Sequence, residues 1–201
     1  MYSMYLSELQ ILGVIFTAFN LCVFMYYFII VPLDYPLYIT NQLYLYFVFK
    51  LTVSFNIGIQ NLLFIFYFLR FRVIEFNLCV YGIVFVCLSY ISWLICATIF
   101  TDPTHLTTFG LYITCDMAYW VVIYLLDRHT KTLDNRNYIF IWAASFFVIM
   151  FCVLNLAGND TAFIYEHMAM ITYNASILYF YVYHDLNPFA LITLEKYADY
   201  V

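Results

Sequence analysis

Three ionisable side chains stand where an apolar sequence makes charge expensive: Lys50, Asp116 and Glu166, each inside a long run of aliphatic and aromatic residues. A charge in hydrocarbon is paired, wet or functional. A lysine and two carboxylates could meet a lipid headgroup or another polar substrate, or could hold helices together as an ion pair; both readings stand at this level. Helical spacing extends the set. At roughly 100° per residue, Lys50, Ser54 and Asn61 fall within roughly 40° of one another, a polar stripe turned away from lipid. Further on, His167, Asn174 and Asp185 share one stripe, and Glu166, Tyr173 and His184 the adjacent one. The candidate lipid-headgroup or interhelical polar cluster is therefore Lys50, Ser54, Asn61, Asp116, Glu166, His167 and Asn174. A polar cavity is expected where Lys50, Asp116, Glu166 and His167 meet.

No catalytic set can be assembled beside this cluster. There is no GxSxG, HExxH, glycine-rich phosphate loop or potassium-filter sequence. Cys22, Cys79, Cys87, Cys96, Cys115 and Cys152 all lie in apolar runs, with no CxxC pair. They read as small packing residues, and neither a disulfide nor a metal site is expected. His105 and His129 read as solvated loop residues, and Asp127-Arg128-His129 as a solvated helix end. No cofactor is implied.

The elements that must position the cluster follow from composition. Of 201 residues, 67% are apolar and 9% charged, against about 25% charged in an ordinary soluble domain. Twelve acidic and seven basic side chains cannot cover a globule facing water. The composition excludes a soluble enzyme and a nucleic-acid binder, and the expected class is an all-α integral membrane protein. Its apolar runs lack the in/out alternation of a β-barrel. A crossing needs roughly 20 apolar residues, which places six transmembrane helices at about 9–31, 43–69, 77–100, 106–126, 138–157 and 162–183, with 184–201 as a short tail. Pro32, Pro36, Pro103 and Pro188 all fall at boundaries, where a missing backbone donor does no harm.

Basic residues orient the bundle. Apart from Lys50, the six others (Arg70, Arg72, Arg128, Lys131, Arg136 and Lys196) follow the second, fourth or sixth span. The positive-inside rule then puts the N- and C-termini in the cytoplasm. No cleavable signal peptide is evident, so the first span reads as an uncleaved anchor. Asn159-Asp160-Thr161 forms a glycosylation sequon so close to the membrane that poor occupancy is expected. GxxxG is absent, so close right-handed crossings are not the organising device. The 44 Phe and Tyr residues suit interfacial belts at Tyr2, Tyr5, Tyr35 and Tyr38, and a lipid-contacting groove at Tyr46, Tyr90 and Tyr124.

Six spans, cytoplasmic ends and the proline-containing linker VPLDYPLYIT resemble the Frag/DRAM/Sfk family, in particular its post-GPI-attachment branch. The last span of that family carries a Glu, an Asn about two turns on, and an aromatic stretch ending near an Asp. The counterparts here are Glu166, Asn174 and His184-Asp185, with Ala144-Ser145-Phe146-Phe147 matching the start of the fifth span. The resemblance implies membrane-lipid work linked to GPI anchors in the endoplasmic reticulum or Golgi, with the plasma membrane as a further option. The residues themselves favour a non-enzymatic subunit or accessory factor that binds or passes phospholipids beside other integral membrane proteins. A GPI-anchor remodelling factor and a small channel or transporter are the alternatives; the absence of broken helices and inverted repeats counts against the last.

Overall fold

The computed structural model describes residues 7–30, 47–99, 104–129 and 135–184, and among them every regular element is an α-helix. In chain order these are α1 (Glu8–Ile30), α2 (Phe47–Phe71), α3 (Phe76–Cys96), α4 (Thr104–His129), α5 (Asn135–Leu156) and α6 (Ala162–Tyr183). Six helices thus form within a few residues of the bounds expected for the spans. The four prolines, the start of the second span at 43–46, and Asp185 lie outside the described residues. Five helices, α1 to α5, are long and apolar enough to cross a membrane. α6 matches its expected bounds, with Glu166, His167, Asn174 and its tyrosines interrupting its apolar residues. It is also strongly buried, from Ala162 to Tyr181.

Local chemistry explains several ends. Ser7 and Gln10 form a reciprocal cap on α1, the Gln10 N–H donating to Ser7 Oγ and the Ser7 N–H to Gln10 Oε1. Gly158 closes α5 with a φ of 68°, a conformation glycine adopts without a Cβ penalty. Its N–H donates to Asn155 O and that of Asn159 to Leu154 O, the paired bonds of a Schellman motif. Asn159 then accepts from the Thr161 N–H and hydroxyl, which holds the sequon in a tight turn.

In space the helices follow the order α5, α6, α1, α2, α3, α4, each packed on its neighbour. Side chains show that they alternate in direction: Gln10, near the start of α1, donates to Tyr181 O near the end of α6 at 3.1 Å. Every chain-consecutive pair packs backbone to backbone except α4 and α5. Between α2, α4 and α6 the space is filled by rings, with Phe64 against Tyr119, Trp120, Phe180 and Tyr181 at centroid distances of 5.0–5.8 Å. Lipid tails are as apolar as these rings, so in a bilayer dispersion and interhelical hydrogen bonds hold them inside. Close approach is gained through rings on glycine: a Cβ added at Gly13 would stand 2.6 Å from the Tyr181 ring.

Candidate functional site

Most of the buried polar residues gather in three places. The first lies between α1, α2 and α6. Asn174 Oδ1 accepts from Asn20 Nδ2 at 2.9 Å and from Gln60 Nε2 at 3.3 Å, and its own Nδ2 donates to Met170 O at 2.8 Å. Gln60 also donates to Thr17, Asn56 donates to Asn20, and the Tyr181 hydroxyl donates to Gln60 O. Asn174 is the hub of amide bonds joining three helices, a common way of fastening spans. The sequence held a legible signal for this network: Thr17 and Asn20 are three residues apart, Asn56 and Gln60 four, each pair on one helical face.

The second place is one end of the bundle. Asp127, fully buried, accepts from the Tyr67 and Tyr138 hydroxyls at 2.7 Å each and lies 3.0 Å from His184 Nε2. His184 stacks on Phe180 with centroids 4.2 Å apart. One carboxylate therefore ties the ends of α2, α4 and α6 to the start of α5. This corrects the expectation of a solvated Asp127-Arg128-His129 terminus. His129 does point outward, 3.2 Å from Glu75, but Asp127, two residues earlier on the helix, faces inward. Nor are His105 and His129 loop residues, since both belong to α4.

The third place is a slot where α4 and α5 fail to pack. Phe109, Tyr112, Ile113, Asp116 and Met117 of α4 face Ala144, Val148 and Phe151 of α5, with Trp93 and Cys96 of α3 at one side and Glu166, Ala169, Met170 and Tyr173 of α6 behind. Its empty space is about 670 Å³, side opening included, of which only about 50 Å³ admits the centre of a water molecule. The slot is apolar-walled. Asp116 is 4% exposed and accepts the Ser89 hydroxyl, with the Tyr112 and Tyr173 hydroxyls also bonded to it. Tyr173 is bonded in turn to Tyr119.

Sequence reasoning and structure meet here only in part. Asp116 and Glu166 do line one cavity, as expected. The cavity is apolar rather than polar, and neither Lys50 nor His167 lines it. Asp116 takes its hydrogen bonds from hydroxyls. Lys50 is half-buried near the start of α2. His167 is buried, with Nδ1 2.8 Å from Phe163 O. Ser54 accepts the Trp93 indole N–H at 3.0 Å, and Asn61 lies buried on a groove between α2 and α3. Ser54 and Asn61 of the α2 stripe therefore face α3.

One pair escaped the sequence reading. Cys96 Sγ lies 3.6 Å from His105 Nδ1 and 4.0 Å from Nε2. The two residues flank the short α3–α4 connection, and the helix ends bring them together. His105 Nδ1 is directed at Cys96 O and Ile99 O, at 3.0 and 3.1 Å. An anion on this sulfur would sit at the carbonyl end of α3 with Glu166 on the same cavity wall, an arrangement that opposes a thiolate. All six cysteines are free, and among the described residues no His/Cys/Asp/Glu cluster could hold a metal ion.

Neither a family model, nor a curated protein, nor a solved structure matches this chain.

Proposed function

We propose that the chain is a six-span bundle with cytoplasmic termini, acting as a non-enzymatic subunit or accessory factor in membrane-lipid handling at the endoplasmic reticulum or Golgi. The observation that carries this reading is the α4–α5 slot. An apolar cleft walled by Phe109, Phe151 and Met170 and part-open at its side offers an acyl chain apolar contact along that opening. Glu166, near one end of α6, gives it an acceptor for the hydroxyl or ammonium group of a lipid head. The basic residues at the ends of α2 and α4 support the orientation. The resemblance to the Frag/DRAM/Sfk family adds supply of lipid to GPI anchors as the context, beside other membrane proteins.

The test is photolabelling. The protein is reconstituted with a phospholipid bearing a diazirine in its acyl chain, and labelled peptides are mapped. Label on the Phe109–Met117 and Val148–Phe151 segments, lost in Val148→Trp, is the expected result. Label spread over outward residues such as Phe19 and Trp142, indifferent to Val148→Trp, overturns the reading. A second reading, a lipid-remodelling enzyme, needs a nucleophile, and Cys96 beside His105 is the candidate although the carbonyl end of α3 opposes its thiolate. An acylated Cys96 detected by mass spectrometry, absent in Cys96→Ser, would replace the first reading with the second.

A further inference from the structure

A second feature lies on another face and owes nothing to the slot. Phe55, Gly58, Asn61 and Leu62 of α2, with Val86 and Tyr90 of α3, line an open groove whose empty space is about 730 Å³. Phe55 and Leu62 stand out as rims, 58% and 45% exposed, while Asn61 is recessed at 6%. Among the described residues, Asn61 Nδ2 has no hydrogen-bond partner. Gly58 keeps the floor low: a Cβ there would stand 2.8 Å from the Tyr90 hydroxyl oxygen. The groove is thus an apolar socket with an unpaired amide at its base.

Depth identifies the occupant. Asn61 lies at the middle of the apolar stretch Lys50–Phe71, and at a rise of about 1.5 Å per residue that is close to the bilayer midplane. The ester oxygens of a phospholipid lie at the edge of the hydrocarbon, about 15 Å away. A lipid brings only methylenes to this depth and leaves the amide unpaired. A second copy of this chain fits no better. Phe19 of α1 and Phe146 of α5, exposed at mid-span, are apolar, and Thr114 of α4 directs its hydroxyl to Gly110 O at 2.8 Å. Two recessed Asn61 amides would be held apart by their own rims.

We infer that the α2–α3 groove is the docking site for a transmembrane helix of a partner protein, one that presents Asn or Gln at mid-membrane to pair with Asn61. Such a side chain both donates and accepts, so it satisfies either end of the Asn61 amide. The apolar neighbours of that residue would lie between the Phe55 and Leu62 rims.

The test uses the full chain, fluorescently labelled in phosphatidylcholine vesicles, with polyleucine transmembrane peptides carrying Gln or Leu at the central position. Energy transfer should show the Gln peptide bound about five-fold more tightly than the Leu peptide. Asn61→Leu should bring the two within two-fold. Gly58→Leu, which fills the floor with Asn61 in place, should do the same. Val148→Trp in the slot should leave the preference intact, which separates failure here from failure of the lipid reading. Equal binding of both peptides to the unaltered chain overturns the inference, as does a preference that survives both groove variants. Energy transfer between labelled copies that Asn61→Leu abolishes would assign the groove to a second copy instead, and overturns it too.

Discussion

The two sides of α6 use polar residues in opposite ways. Toward α1 and α2, Asn174 meets Asn20 and Gln60 in direct amide bonds. Toward α4 and α5, Glu166 and Tyr173 stand against a cavity. Both sides belong to one helix, a single turn of which separates inward contacts from cavity lining. Polar groups that spend their hydrogen bonds on each other fasten helices, and their loss is felt as instability. Polar groups that line a cavity present a face to whatever enters it, and their loss should be felt in binding. The Asp127 cluster behaves like the first side, since its carboxylate is filled by two tyrosines and a histidine.

That contrast can be broken by substitution, beginning where the effect is largest. Asp127→Ala should cost about 3–5 kcal/mol, because it orphans three buried partners on three helices. Unfolding in mixed micelles measures this, and a loss under 1 kcal/mol would mean the cluster is incidental. Asn174→Leu should cost about 1–2 kcal/mol by the same assay, since it unpairs Asn20 and Gln60 together. Its double variant with Asn20→Leu should cost less than the sum of the singles, the signature of one shared network. On the cavity side the sign of the comparison reverses. Glu166→Gln should change stability by less than about 1 kcal/mol yet shift the preference among lipid headgroups read by photolabelling. A Glu166→Gln protein with unchanged headgroup preference would remove the distinction between the two sides of α6. Smallest of all, Trp142→Leu on the outer face of α5, 74% exposed, should stay within about 0.5 kcal/mol.

The resulting picture explains which parts of the polar set were readable in advance. Asp116 and Glu166 were visible because each interrupts an apolar run, and they do line one cavity. Asn174 stands out on the stripe it shares with His167, whereas its partners Asn20 and Gln60, and Asn56 bonded to Asn20, have no such neighbour to mark them. Asp127 was misread because it sits beside Arg128 and His129 near a helix end, where exposure is the ordinary outcome. A rotation of about 200° over two residues sets Asp127 opposite His129 on α4, and only packing against Tyr67, Tyr138 and His184 decides which of the two turns inward. Cys96 and His105 met for a related reason, since their contact depends on how two helix ends close a short connection.

Periodicity, run length and the positions of prolines and basic residues determined the number of helices and their approximate bounds. These are local properties: about 20 apolar residues form a helix whatever they later touch, because no backbone group can be left unpaired in hydrocarbon. Only the tertiary structure decided that the slot is apolar, that Asp116 meets hydroxyls and that Asn61 faces its own groove. Those outcomes depend on helix rotation and on which pairs pack. A chain whose helices are apolar nearly all round carries little periodic signal for either.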